Sequence, residues 1–166
     1  MKAAATHSFR LSSRSSAETQ SLGRAIGARL EAGMTTTLSG PLGSGKTTLV
    51  QGIACGAGCD GYVRSPSFVL INEYQGRIPL AHCDLYRIAD AREAIDLGLD
   101  EYLDHGALLV EWSERYRPLA SHPGLRIEIR FGAGDEERDI TVNAQGARAA
   151  ALVATLGIAM DGGQPG

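Results

Sequence analysis

Lysine is nearly missing from this 166-residue chain. Of its 16 basic residues only Lys2 and Lys46 are lysines, and arginine supplies the rest. Guanine-specific GTPases read their base through N-K-x-D beyond the phosphate loop. No lysine follows Lys46, so that class is excluded. Cysteine is also scarce. Cys55, Cys59 and Cys83 are an odd number for a disulfide framework. The i, i+4 pair Cys55 and Cys59 has no nearby histidine or further cysteine to complete a metal site. Reduced thiols of a cytoplasmic protein are therefore expected. No apolar run approaches the roughly 18 residues of a membrane-spanning helix, so no membrane association is expected. The net charge of −3 exerts no general pull on nucleic acid. DNA is not expected as a partner, and contact with RNA would need a local patch or a second protein.

The acid-free start MKAAATHSFRLSSRSS superficially resembles a transit peptide. HSFRLSS reads better as a first strand running into a helix cap. Ser15 stands three residues before Glu18, a capping-box spacing. Leu22, Ala25, Ile26 and Leu30 then repeat at helical intervals until Gly33. MTTTLSG is a short strand of β-branched residues, and TTLVQGIACGAG a helix. VRSPSFVLINEY and IPLAHCDLYR, separated by QGR, predict a hairpin. DAREAIDLGLDEYL is helical in pattern and ALLVEW a buried strand. LRIEIRF places Leu125, Ile127, Ile129 and Phe131 on one face and pairs with RDITV across GAGDE. ARAAALVATLGIAM predicts a last helix and DGGQPG a frayed tail. His7, His105 and His122 are expected at the surface or in turns.

Early alternation of strand and helix, with hairpins later, predicts an α/β fold: a three-layer, P-loop NTPase-like domain around a mixed parallel and antiparallel central sheet. Residues 1–146 are expected to form that single domain, and 147–166 a C-terminal helix and tail.

The stretch Gly40-Pro41-Leu42-Gly43-Ser44-Gly45-Lys46-Thr47 satisfies G-x(4)-G-K-S/T, with Thr48 following. Several backbone N–H groups must converge on phosphate oxygens, in shapes that side chains would obstruct; Gly40, Gly43 and Gly45 supply them. The helix starting near Lys46 adds its positive end. Lys46 would bring a compact charge to the β- and γ-phosphates, and the Thr47 hydroxyl would ligate Mg2+. In a chain that otherwise uses arginine, lysine stands where a slim point charge suits phosphate. With N-K-x-D absent, ATP/ADP is the expected nucleotide.

Such a loop needs an acid at the end of a neighbouring strand, for Mg2+ or for the attacking water. Glu111 ends ALLVE and Asp84 ends IPLAHCD. Either could instead cap a helix or pair with an arginine such as Arg87. Trp112, the lone tryptophan, is either core packing or part of a nucleotide-sensing segment.

GPLGSGKTTLVQG, then VRSPSFVLINEY with HCDLYR, then LLVEW, in that order, resemble the TsaE (YjeE) family, ATPases of bacterial threonylcarbamoyladenosine (t6A) modification of tRNA. The resemblance spans about residues 8 to 142. It implies that Gly40 to Thr48 hold the triphosphate, with Thr47 on Mg2+ and Glu111 near metal and attacking water. It implies that Asp84 lies in a switch segment facing the γ-phosphate, reached through the loop Ser65, Pro66, Ser67 and Phe68, with Trp112 in a second switch. Ser16 is implied near the nucleotide base. The implied partners are a TsaD-like transferase and a TsaB-like protein, with tRNA met only indirectly. Hydrolysis, weak in isolation, would reset that assembly. Ser67 replaces the more usual threonine, SERYRPL is richer in arginine than expected, and the tail past 145 matches nothing specific.

Two other readings stand beside this one. GPLGSGKT also fits small-molecule kinases, with Arg115 and Arg117 as lid arginines, although no acceptor-binding cluster follows the second strand. A non-enzymatic module would hold nucleotide only as a structural ligand.

Overall fold

The structure, a computed structural model, describes residues 7–66 and 68–161. Ser67 of the expected switch loop, the first six residues and the tail beyond 161 lie outside the described residues. The strands are β1 (Ser8–Ser13), β2 (Thr35–Ser39), β3 (Ile71–Tyr74), β4 (Leu80–Asp84), β5 (Ala107–Glu111), β6 (Gly124–Phe131) and β7 (Arg138–Gln145). The helices are α1 (Ser16–Gly27), α2 (Lys46–Gly56), α3 (Ala91–Asp96) and α4 (Ala147–Asp161).

All seven strands join one sheet in the order β1-β7-β6-β2-β5-β4-β3. β2 runs parallel to β5 and β6, and β4 runs parallel to β5. β3 is antiparallel to β4, and β7 is antiparallel to both β6 and β1. This is the expected mixed α/β sheet. One face packs with α1, α2 and α4 into the main core, which includes Leu22, Ile26, Leu38, Ile53, Leu109, Ile127 and Leu156. The opposite face is covered near β4 and β5 by α3 and by 3-10 turns, around Leu85, Leu99, Leu108, Val110 and Leu119. Beyond them, Arg10, Ser12, Glu128, Arg130 and Thr141 line an open, polar stretch of sheet. No helix among the described residues is long and apolar enough to cross a membrane.

The Ser15 hydroxyl caps α1 by accepting from the Glu18 amide (3.2 Å), while the Glu18 carboxylate accepts from the Arg14 amide (2.7 Å). α1 and α2 then pack backbone to backbone. A Cβ on Gly27 would lie 1.9 Å from the Ile53 carbonyl oxygen, and one on Gly52 would lie 2.3 Å from that of Gln20. Only hydrogen fits there, and this contact sets where α2 begins relative to the sheet.

Four expectations change in detail. α1 ends at Gly27, not Gly33, with the Ala28 amide closing onto the Arg24 carbonyl. The helix expected over DAREAIDLGLDEYL breaks at Gly98, whose left-handed φ of 62° separates α3 from the 3-10 turn Leu99–Asp104. The strand expected over VRSPSFVLINEY begins only at Ile71. Before it, the Pro66 carbonyl closes a turn by accepting from the Val69 and Leu70 amides, and Phe68 and Val69 face solvent. On β6, Leu125, Ile127 and Ile129 are buried as expected, but Phe131 reaches past the core and lies under the Arg138 guanidinium. All three cysteines are free, Cys83 buried and Cys55 exposed. His7 and His105 are exposed, and His122 stands 3.3 Å from Asp100.

Candidate functional site

The loop from Gly40 to Gly45 links the end of β2 to the first turn of α2. Gly40 has φ 147°, and a Cβ on it would sit 2.3 Å from the Ile129 carbonyl oxygen, so no side chain fits. Gly43 (φ 78°) and Gly45 (φ 104°) are left-handed. Gly45 is the N-cap of α2 and offers no side chain to the first helical amides, which leaves those donors directed at the loop. The Ser44 hydroxyl is fully buried and lacks a partner among the described residues.

Lys46 is 5 % exposed, and its Nζ donates to the carbonyls of Gly40 (2.8 Å) and Pro41 (3.0 Å). Burial pushes its pKa down from the ordinary lysine value, against the opposing pull of Glu111, Asp84 and Glu114. The same Nζ lies 4.5 Å from the centroid of the Trp112 ring. Trp112 leaves β5 in a left-handed conformation (φ 58°) and stacks obliquely on Tyr86 at 5.0 Å. It is half-buried between Lys46 and Tyr86 and also packs on the second core cluster.

The acids arrive by strand parity. In the parallel pair β4 and β5, Asp84 is opposite Glu111 and His82 is opposite Leu109, so the side chains of His82, Asp84, Leu109 and Glu111 share one face of the sheet. That face meets the first turn of α2, where the Thr47 hydroxyl donates to Glu111 Oε1 at 3.0 Å. His82 Nε2 lies 3.0 Å from the same oxygen, and both side chains are buried. Asp84 accepts from the Ser65 hydroxyl (2.8 Å) and the Tyr86 amide (2.9 Å).

A cavity of about 370 Å³ is lined by Leu42, Gly43, Gly45, Lys46, Thr47, Thr48, Ser65, Asp84, Tyr86, Glu111 and Trp112. Beyond Gly43 and Thr48, a second hollow of about 210 Å³ reaches Ser15, Ser16, Thr19 and the β6–β7 turn at Asp135 and Glu136. Most of the residues expected at the site thus converge. Pro41 and Leu42 are at the exposed rim, and Pro66 closes the turn after Ser65. Phe68 stands outside, 85 % exposed, beside Arg87. Of the kinase-lid arginines, Arg115 donates to the Ile88 carbonyl (3.0 Å), and Arg117 lines a hollow with Thr37 and Arg126.

Two participants escaped the sequence reading. His82 is two residues before Asp84 on one strand, and that spacing alone puts it on the acid-bearing face. Arg138 comes from the far hairpin, with Nε donating to the Ser44 carbonyl at 2.9 Å. No spacing ties it to the loop.

The hydroxyl of Thr47 and the carboxylates of Asp84 and Glu111 are hard oxygen donors, the kind Mg2+ takes. Among the described residues no cluster of three His, Cys, Asp or Glu could cage a metal by itself. A cation here would complete its shell with substrate and water oxygens, as Mg2+ commonly does at phosphates. The donor set fits that ion.

A family model described as "Threonylcarbamoyl adenosine biosynthesis protein TsaE" matches residues 13–140. The chain belongs to the TsaE family. It is 44 % identical over 133 residues to the tRNA threonylcarbamoyladenosine biosynthesis protein TsaE of Bacillus subtilis, covering 79 % of this chain and 82 % of that protein. The TsaE of Treponema pallidum is 37 % identical over 135 residues, 81 % of this chain and 99 % of its own. The crystal structure of Bacillus subtilis YdiB superposes with a TM-score of 0.80 at 34 % identity, covering 95 % of this chain and 99 % of the other. The TsaE family takes part in biosynthesis of t6A in tRNA. The match begins at Ser13, just before the capping box, and ends at Ile140, so it contains the glycine loop, both strand-end acids and Arg138.

Proposed function

We propose that this TsaE-family chain binds Mg-ATP in the cavity around Lys46, hydrolyses it slowly, and acts in the cytoplasm. Its nucleotide state would support or reset a TsaB–TsaD complex, so that tRNA is met only indirectly. The observation that carries this reading is the 3.0 Å hydrogen bond from Thr47 to Glu111, which joins the glycine loop's helix to the strand-end acid. Such a bond orients a hydroxyl's lone pairs toward a cation while the carboxylate remains an acceptor.

In this mechanism the loop amides at Gly43, Gly45 and Lys46 receive the phosphate oxygens, and the ammonium of Lys46 leaves the Gly40 and Pro41 carbonyls for them. Magnesium, held through Thr47 with Glu111 and Asp84 close by, would supply charge neutralisation on the phosphates. Glu111 accepts a hydrogen bond from water and holds it in line with the γ-phosphorus. The water oxygen forms the new P–O bond as the bond to ADP breaks, and the electron pair of that bond leaves with ADP. One water proton passes to a γ-phosphate oxygen, and phosphate departs. Asp84 anchors Ser65 and the turn at Tyr86, so a change at the γ-phosphate is felt along both segments. Trp112 touches Lys46 and is therefore placed to report where that ammonium goes. Ser16, across the smaller hollow, faces the nucleoside end.

Phosphate release from ATP, measured for wild type and Glu111→Ala, alone and with a TsaB–TsaD preparation, tests the reading. Low turnover alone, raised by the partners and lost in the variant, is expected. Equal rates with and without partners would remove the resetting role. Normal binding and full t6A formation in cells by Glu111→Ala would leave nucleotide as a structural ligand only. The kinase reading predicts ATP consumption only with an added acceptor. The placement of Arg117 speaks against it, since it lines a separate hollow with Thr37 and Arg126. Arg115, by contrast, is bonded to the Ile88 carbonyl and lies 5.8 Å from the ring centroid of Tyr86, at the wall of the Lys46 cavity.

A further inference from the structure

We propose that Arg138 is a positioning residue of the glycine loop: a guanidinium strut from the β6–β7 hairpin that holds the Gly43 and Ser44 carbonyls outward, so that the Gly45 amide faces the cavity. Arg138 opens β7 opposite Phe131, and its guanidinium carbon is 4.9 Å from that ring's centroid. Nε donates to the Ser44 carbonyl at 2.9 Å, and Nη2 makes a longer contact to the Gly43 carbonyl at 3.4 Å. Nη1 donates to the carbonyls of Asp135 and Glu137, both at 2.8 Å. One planar group thus fastens two consecutive loop carbonyls to the hairpin turn.

The loop needs that fastening. Gly43 has nothing within 4 Å of where a Cβ would be, so packing does not restrain it. With left-handed glycines on either side of Ser44, the Ser44–Gly45 peptide plane has other orientations within reach, whereas the Gly43–Ser44 plane is also held by the Ser44 amide on the Pro41 carbonyl. Turning a carbonyl outward turns the following amide inward, because the two are antiparallel across a trans peptide. Arg138 therefore acts on the Gly45 amide through the Ser44 carbonyl, while the Ser44 amide is held inside the loop by donating to the Pro41 carbonyl at 3.1 Å. Lysine cannot replace it, since one ammonium lacks the planar fork that spans loop and turn together.

The affinity part of this inference rests on the ATP-binding reading, whereas the loop-ordering part does not. The test measures backbone 15N order parameters of Gly43, Ser44 and Gly45 in ligand-free wild type, Arg138→Ala and Arg138→Lys, with ADP affinity by calorimetry. Wild type is expected near the rigid value of about 0.85 at these amides, and both variants below about 0.6 at Gly45, with β2 and β5 unchanged. ADP affinity should fall about 10- to 100-fold in both, the scale of one or two charge-assisted hydrogen bonds. KM for ATP should rise while kcat changes less than about threefold.

Unchanged loop order parameters would overturn the strut, and so would loosening spread evenly over the whole sheet. Wild-type affinity in Arg138→Lys would also overturn it, leaving charge alone as the contribution. If wild type itself bound no ADP, the ATP reading would fall and the order parameters would still decide the role of Arg138. Should Arg138→Ala not fold, Arg138→Lys, which keeps an aliphatic stem over Phe131, carries the test.

Discussion

The parallel and antiparallel halves of the sheet use polar residues in opposite ways. β4 and β5 are buried along their whole length, with helices or turns on both faces, and β2 is buried except at Ser39. On such strands a polar residue costs stability unless it is bonded, so Asp84 and Glu111 stand out at their ends. β1, β6 and β7 alternate, one face toward the core and the other open. There polar residues are the rule, and Arg138 looks like its neighbours. Cavity size misleads in the same way. A hollow of about 440 Å³ sits on the open half and one of about 520 Å³ between β2, β6 and the turns after β5, yet the chemically convergent one is about 370 Å³. In this molecule the site is where parallel strand ends converge on a helix start.

Substitutions can break or sharpen that contrast. The largest effect is expected at a strand end: Glu111→Ala should lower phosphate release about 10²- to 10⁴-fold with ADP affinity kept, separable by calorimetry beside a turnover assay. Two residues back on β5, Leu109→Ala should cost about 2–5 kcal/mol in urea unfolding, because both faces there are packed. Gly27→Ala should cost about 1–3 kcal/mol by wedging α1 from α2, and should weaken ADP binding because α2 carries the loop. A loss of stability without any loss of affinity would separate the helix contact from the site.

A pH dependence belongs to the buried half as well. Burial first, then the charges of Asp84 and Glu111, push the Cys83 thiol up from 9.0 to about 12. The folded chain therefore keeps a proton that the unfolded chain gives up. This contribution is complete below pH 9 and is lost as pH rises toward about 12. Cys83→Ala should flatten the alkaline fall in unfolding free energy between pH 8 and 10.5, and an unchanged slope would exclude the thiol as its source. The smallest effect is expected on the open half, where Arg10→Ala should stay within about 0.5 kcal/mol of wild type. A larger loss there would mean that the two halves are not as different as their burial suggests.

Much of this was legible in order along the chain. The capping box at Ser15, the β-branched run into Gly40 and the apolar run ending at Glu111 are local signals, and each element formed where its signal lay. Errors came where tertiary contacts overrode local pattern. Phe68, Val69 and Leu70 read as strand, yet Pro66 closes a turn under them and the Asp84 amide takes the Leu70 carbonyl. DAREAIDLGLDEYL read as one helix, and Gly98 split it.

By itself the sequence determined that a bare loop with one lysine opens a helix, and that two acids end buried strands. Glycine conformations and apolar runs are properties of a residue and its neighbours, so they can be read one segment at a time. Only the tertiary structure decided which partners those segments meet: His82 and Thr47 on one oxygen of Glu111, Trp112 over Lys46, and Arg138 behind Ser44. Those contacts join residues 29 to 94 positions apart. Sheet register and helix packing set them, and no local propensity encodes either.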